Sequence, residues 1–361
     1  MSPGERCQPL LEVLRDPLRM ARLGLGDWDL LLRQSGAAGL LSRLAVQAET
    51  LGLDSRLPAE VRPHLAAART VAAKQRQAVR WEARRVAQAL AGIDGPVLLL
   101  KGAAYAIAGL PSAAGRLFGD IDILVPRDRL GQVEGALLLA GWHTQKQDDY
   151  DQRYYRRWMH ELPPMTHIRR GTVLDVHHNL LPETARIRTV AAPILDAAQP
   201  LPDLPRLSIP SDADLVLHSA CHLFHEGEWG HGLRDLVDLD ALLRTFASER
   251  TFWSTLLDRA ETLNLGRPLY YALDCCHRWL HTPIPENVIA ECPQRPPSWQ
   301  RTIMRYLFDA GLGSAHRSCH GRYANLAALA LYVRGHYLRM PWHLLLPHLL
   351  HQARRRNQQQ G

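Results

Sequence analysis

The chain predicts an α+β fold: a small mixed sheet between N-terminal and C-terminal helical segments. Three observations carry that expectation. Residues 1–93 repeat apolar positions at helical spacing. Two short apolar runs, 97–100 and 121–125, follow, and an alternating stretch lies at 165–177. Past Ser211 the helical period returns.

Each element has its own signal. Leu10, Leu11, Leu14 and Leu18 mark a first helix, and Asp27-Trp28-Asp29 opens another. Residues 59–91 form a long Ala/Arg-rich helical run, stopped at Gly92-Ile93-Asp94-Gly95-Pro96. A central unit at 94–182 holds a strand at 97–100, a helix from Gly102 to about Ala108 and a strand at 120–125. A helix at 127–140, a strand at 141–146, a polar aromatic insertion at 148–158 and a hairpin turning at Arg170-Gly171 complete it. The Pro-rich stretch 183–210 predicts a linker. Ser211-Asp212-Ala213-Asp214 predicts a helix start. The helical segment 211–356 is broken at 283–285, 293–297 and Pro341, and 357–361 is a polar tail.

At 361 residues with a formal charge of +7, the chain can bury a sizeable core. From Arg301 onward it carries nine Arg against one acidic residue, Asp309, so the C-terminal face is basic. Such a face attracts nucleic acid or an anionic membrane surface, or is simply solvated. The aromatics among those Arg residues, Tyr306, Tyr323, Tyr332, Tyr337 and Trp342, are expected to serve the core more than RNA. The six cysteines show no Cys-x-x-Cys spacing, which predicts reduced, buried thiols and no structural zinc. There is no secretory pattern, and apolar runs such as 326–333 are too short to span a bilayer. A cytoplasmic protein is therefore expected.

The chemistry concentrates in two places. Asp120 and Asp122 sit one residue apart on the second strand, so both point to one face roughly 6–7 Å apart. Two carboxylates beside a buried strand are costly unless a cation lies between them. Hard oxygen donors suit Mg²⁺, which leaves positions for water and phosphates. On the hairpin, Val173, Asp175 and His177 share a face, so Asp175 can join the pair. Three carboxylates on adjacent strands meet the needs of two-metal phosphoryl transfer. Lys101 is one of three Lys in a chain otherwise served by Arg. It stands before Gly102 at a strand end, where a compact ammonium reaches a phosphate. Arg116 offers a guanidinium fork for phosphate oxygens.

Lys101-Gly102, then Arg116 before Gly119-Asp120-Ile121-Asp122-Ile123-Leu124-Val125, then Asp175 on a later strand resembles the nucleotidyltransferase fold of the DNA polymerase β superfamily. It looks most like a bacterial nucleotidyltransferase branch with a Lys-Gly first motif, related to abortive-infection toxin nucleotidyltransferases. The usual first motif is Gly-Gly or Gly-Ser; here Ala103 replaces the second small position. The resemblance is strong over 97–175 and weaker beyond. It implies an enzyme that moves a nucleoside monophosphate from an NTP such as ATP to an acceptor hydroxyl, with Mg²⁺ or Mn²⁺. Asp120, Asp122 and Asp175 would be catalytic metal ligands. Lys101, Gly102, Arg116 and His177 would bind the nucleotide. The favoured acceptor is a small molecule, sugar or peptide. A toxin-like tRNA nucleotidyltransferase is the alternative, and a non-catalytic nucleotide-binding or scaffold protein a further one.

Other groups are weighed against simpler roles. His218, His222 and His225 fall at i, i+4 and i+7, a possible metal face with His177-His178 and His231. They are expected instead to pack on the sheet or line the acceptor pocket, with His177 best placed to touch substrate. Residues 148–158 alternate aromatic and charged side chains and could stack a base. Asp235, Asp238 and Asp240 are expected as a solvated face or as helix–helix ion pairs.

Overall fold

Seven strands form one mixed sheet in the computed structural model, which describes residues 7–144, 158–226 and 229–341. They are β1 (Leu98–Leu99), β2 (Asp120–Leu124), β3 (Trp142–Thr144), β4 (Met165–His167), β5 (Val173–His177), β6 (Gln199–Pro200) and β7 (Ser208–Ile209). Their order across the sheet is β3-β4-β5-β2-β1-β7-β6. The expected α+β class holds. The helices are α1 (Leu10–Arg15), α2 (Leu25–Ala37), α3 (Leu41–Thr50), α4 (Arg62–Ala89), α5 (Lys101–Ala108), α6 (Leu130–Leu139) and α7 (Ala192–Asp196). After β7 come α8 (Asp212–Cys221), α9 (Gly232–Phe246), α10 (Phe252–Thr262), α11 (Gly266–Leu280), α12 (Glu286–Glu291), α13 (Ser298–Gly311) and α14 (Ala324–Arg339).

β2 is the central strand. It runs antiparallel to β1 and parallel to β5. Ile121, Ile123 and Leu124 are buried, as a strand covered on both faces requires. The β4–β5 hairpin turns through Gly171, whose φ of +67° suits glycine. Residues 145–146 of the expected third strand, and the 148–158 insertion apart from Trp158, lie outside the described residues.

The Pro-rich stretch 183–210 contributes two strands to the sheet. β7 pairs parallel to β1 at Leu98↔Ser208, and β6 closes the edge. Leu201, Leu207 and Ile209 are buried there. Strands of two residues flanked by Pro leave no periodicity to detect.

The N-terminal helices pack through apolar stripes. α4 buries Leu65, Ala68, Ala72, Val79, Ala83 and Val86 along one stripe, with Pro63 in its first turn. Ser211 caps α8, accepting from the Asp214 backbone N–H at 3.3 Å. α11 is enclosed on nearly every side, which accounts for its continuous Tyr270-Tyr271-Ala272-Leu273 run.

The thiols differ from expectation. Cys7 and Cys319 form a disulfide across 312 residues, with Cα atoms 4.6 Å apart. Cys221, Cys275, Cys276 and Cys292 are buried thiols outside this disulfide. Local spacing says nothing of a pair that only the folded chain ends bring together. Gln34 ties the same ends by donating to the Gln8 carbonyl and the Ser318 hydroxyl, both at 2.9 Å. The C-terminal aromatics also depart from the core role: Tyr306, Tyr323, Tyr332 and Tyr337 are exposed. Trp342 and the basic tail lie outside the described residues.

Candidate active site

β2 and β5 set the geometry. Their parallel register places Asp122 opposite Asp175 and Asp120 opposite Val173. Paired residues on neighbouring strands project to the same face, and the strands lie ~4.8 Å apart. Asp120, two residues before Asp122, shares that face at the exposed start of β2. Asp122 is buried at 5% exposure. His177 is two residues past Asp175 and also shares the face.

The chain reverses between β1 and α5 at Lys101, whose φ is +45°. A side chain in the left-handed region costs about 1–3 kcal/mol and persists only where its surroundings hold it. Here the Leu100 N–H donates to the Asp122 carbonyl at 2.9 Å, fixing the turn against β2. Lys101 Nζ then stands 3.2 Å from Asp122 Oδ1. His177 Nε2 approaches the same oxygen at 3.1 Å, and His177 Nδ1 lies 3.4 Å from Glu161 Oε2.

Gly102 admits Arg116. A Cβ at Gly102 would stand 2.8 Å from Arg116 Cζ and 3.1 Å from Phe118 Cδ1. Arg116 Nε donates to Asp238 Oδ2 on α9 at 2.7 Å, and its guanidinium lies 5.5 Å from the Phe118 ring centre. Asp238 also pairs with buried Arg43, whose Nη2 donates to the Ser112 carbonyl at 2.5 Å. Burial alone would lower the Arg116 pKa, but Asp238 raises it above the usual value. Asp238 is thus a buried ion-pair partner, as its helix pattern allowed, and not part of a solvated face.

The three sheet carboxylates respond differently. Burial would raise Asp122, but Lys101 and His177 hold it well below the usual carboxylate range. Asp120 is raised, first by desolvation and then by Asp122. Asp175 is pushed up to about 7 by burial, Asp122 and Glu161. Its Oδ1 is buried with no hydrogen-bond partner among the described residues. Against burial, Asp122 and Glu161 raise His177.

A cleft of about 150 Å³ opens over this face. Lys101, Gly102, Arg116, Asp120, Asp122 and His222 are among its walls, as are Tyr105 and Ser219, whose hydroxyls are hydrogen-bonded. Asp175 is not among the lining residues. Larger hollows of about 560 and 590 Å³ lack this carboxylate set.

The histidine face divides. α8 ends at Cys221, and residues 222–226 form a π-turn, which shifts the side-chain register. His222 lines the cleft, whereas His225 lines a hollow with Arg267 and Arg334. Burial, then Lys101, lowers the pKa of His218 to about 3 and also lowers His222. His231 lines the cleft too. The close His/Glu group is instead His160, Glu161 and His177.

Glu161 is the site group whose sequence pattern assigned it no role, while Asp238, expected in a solvated face or a helix–helix ion pair, is paired with Arg43 of α3 and with the site's Arg116. Asp238 lies in an ordinary amphipathic helix, 122 residues from Arg116. Glu161 follows the aromatic insertion and carries no motif. Its bridge to His177 could be found only through folding.

A family described as an uncharacterised nucleotidyltransferase has a model that matches residues 25–281, more than half of the chain. The match takes in every residue of the cleft. No curated protein matches the chain.

Proposed function

Because the chain belongs to this uncharacterised nucleotidyltransferase family, an enzyme family of the transferase class, we propose a divalent-cation-dependent transfer of a nucleoside monophosphate from an NTP to an acceptor hydroxyl. The acceptor class we favour is a small molecule, sugar or peptide. The observation that carries this is the Asp122↔Asp175 register with Asp120 on the same face, beside Lys101 and Arg116.

The donor set fits Mg²⁺ or Mn²⁺. It is oxygen-only, and it holds more negative charge than Lys101 and His177 balance. Asp175 Oδ1 is buried without a hydrogen-bond partner among the described residues. Asp120, Asp122 and Asp175 are the residues that would hold the ion. When bound, it supplies charge neutralisation on the triphosphate and a lowered pKa for the acceptor hydroxyl.

The protein's own residues do the rest. Lys101 and Arg116 neutralise and orient the phosphates, and Asp238 keeps the Arg116 fork in place. The α5 N-terminus adds a favourable dipole. Asp175, opposite Asp122 in the register, is the carboxylate we assign to take the proton from the acceptor hydroxyl. The hydroxyl oxygen bonds to the α-phosphorus as the bond to the bridging pyrophosphate oxygen breaks. Pyrophosphate leaves with the charge that Lys101 and Arg116 face.

Purified protein is incubated with each α-labelled NTP, Mg²⁺ and cell-extract fractions, with and without nuclease or protease. Label is expected in a nuclease-resistant product. Asp175→Ala is expected to bind Mg–NTP yet transfer nothing. Absence of transfer with every NTP would overturn the proposal. Label in a nuclease-sensitive product would move the acceptor to RNA. In that case gel shifts with total tRNA should show submicromolar binding that weakens steeply with salt.

A further inference from the structure

Beside the carboxylate face lies a second group of metal-ligating side chains with different chemistry. Residues 160–162 run antiparallel to the end of β5. The His178 N–H donates to the His160 carbonyl at 2.8 Å, and the Leu162 N–H donates to the Val176 carbonyl at 2.8 Å. Glu161 and His177 are paired across this bridge. Backbone pairing therefore puts the side chains of Glu161 and His177 on one face, and the bend at residue 160 brings His160 beside them. One ligand atom from each lies within 4.8 Å of the others. The imidazoles of His160 and His177 have ring centres 5.3 Å apart, tilted by 37°. Both histidines are buried, at 4% and 5% exposure.

We propose that His160, Glu161 and His177 bind one borderline divalent cation of the zinc class through two imidazole nitrogens and one carboxylate oxygen, with water completing the sphere. One observation goes beyond a Glu161–His177–Asp122 ion triad, and two more fit the metal site as well as the triad. The triad uses one imidazole; the buried His160 imidazole beside it offers a second nitrogen donor. His177 Nδ1 already stands 3.4 Å from Glu161 Oε2, near the ligand–ligand spacing of a tetrahedral zinc site. The other nitrogen, Nε2, meets Asp122 Oδ1 at 3.1 Å. That is the carboxylate–histidine–metal arrangement, in which an outer carboxylate fixes the tautomer and turns the lone pair of the other nitrogen to the ion.

The nitrogen-rich donor set distinguishes this ion from the one at the all-oxygen face, since imidazole suits Zn²⁺ and its surrogate Co²⁺ better than Mg²⁺ or Mn²⁺. Its role is positioning. It would lock His177, and through His177 the buried oxygen of Asp122, without touching the acceptor. Its existence does not depend on the proposed transfer activity.

Chelator-treated full-length protein is titrated with Co²⁺, read by its visible d–d absorption, in excess Mg²⁺. One equivalent is expected to bind, with no thiolate charge-transfer band, and Zn²⁺ should displace it. Glu161→Gln and His160→Ala should each weaken binding by roughly 10–100-fold or more, and Asp122→Asn by about tenfold. The Asp120→Asn/Asp175→Asn double variant should still bind Co²⁺, so a misassigned carboxylate face would not disturb the readout. Circular dichroism accompanies each variant; if His160→Ala does not fold, the isosteric Glu161→Gln decides. No cobalt spectrum in the parent protein, an unchanged spectrum and affinity in Glu161→Gln, or loss of the spectrum only in the double variant would each overturn the proposal.

Discussion

On α9, Asp235, Asp238 and Asp240 each meet an arginine: Arg234 at 2.9 Å, Arg116 at 2.7 Å and Arg244 at 2.7 Å. On the sheet, Asp120, Asp122 and Asp175 share Lys101 and His177, and both of those go to one oxygen of Asp122. The cleft brings Asp120 and Asp122 together with Asp235 and Asp238. Carboxylates matched by guanidinium groups need nothing from outside and hold helices in place. Carboxylates left in excess, one of them pushed up to about 7, create a deficit of positive charge. A cation or a proton must fill it. Counting acids does not separate these cases; counting the bases within reach does.

The largest effect should follow from removing the excess. Asp120→Asn with Asp122→Asn is expected to reduce label transfer by roughly 10³-fold or more, because several kcal/mol of charge stabilisation is lost at 1.36 kcal/mol per decade. Metal-dependent NTP binding by calorimetry should vanish with it, while circular dichroism stays native. Unchanged metal-dependent affinity would show that the cation belongs elsewhere.

Removing a matched carboxylate should act on stability. Asp238→Ala leaves buried Arg43 and Arg116 without their shared partner. Breaking a buried pair costs about 3–5 kcal/mol. A fall in Tm of about 4–7 °C is expected, against little change for Asp120→Asn. Equal Tm shifts for the two would erase the distinction.

The excess also predicts a pH signature. The folded-state pKa of Asp175 is raised to about 7, against about 3.9 for an unperturbed Asp. The folded protein then holds this proton more tightly than the unfolded chain. Its contribution is fully present below about pH 4 and is lost as pH rises through 7. Asp122 has the opposite sign: its depressed pKa stabilises above about pH 4 and is lost in acid. Without divalent ions, Asp175→Asn should match the parent protein near pH 4 and melt a few degrees higher at pH 8. Mg²⁺ at pH 8 should raise the Tm of the parent more than that of the variant. A parent protein with flat Tm between pH 5 and 8 in chelator would remove Asp175 from the charge excess.

Much of the sheet face was legible before folding because it rests on period-two alternation. Asp120 and Asp122 on one strand, and Asp175 and His177 on another, each declare their face by spacing. That β5 would dock parallel to β2 in the Asp122↔Asp175 register was open to expectation but not fixed by any local pattern. The matched set was less legible. Asp238 reaches Arg43 across 195 residues and Arg116 across 122, and helical period shows only which side it faces. The π-turn that separates His225 from His222 escaped for another reason: one extra residue per turn leaves no compositional mark. Glu161 and the Cys7–Cys319 pair likewise depend on long-range closure.

The smallest predicted effect tests the joint between the two sets. Arg116 is paired to α9 yet lines the cleft, and Gly102 makes its position possible. Alanine at Gly102 would favour the α5 helix by up to about 1 kcal/mol on propensity alone. Its methyl, however, would occupy the space of the Arg116 guanidinium, with Cζ at 2.8 Å. The guanidinium must then swing off, weakening both its phosphate contact and its bond to Asp238. The expected result is a KM for NTP raised roughly tenfold, matching one lost charge-assisted hydrogen bond of about 1.5 kcal/mol. The turnover rate should change little, because the carboxylate face is untouched. A double-mutant cycle gives the decisive comparison. If Gly102 acts through Arg116, adding Arg116→Ala to Gly102→Ala should raise KM no further. Additive losses would mean that Gly102 serves the triphosphate directly through its own backbone, and that Arg116 belongs wholly to the matched, structural set.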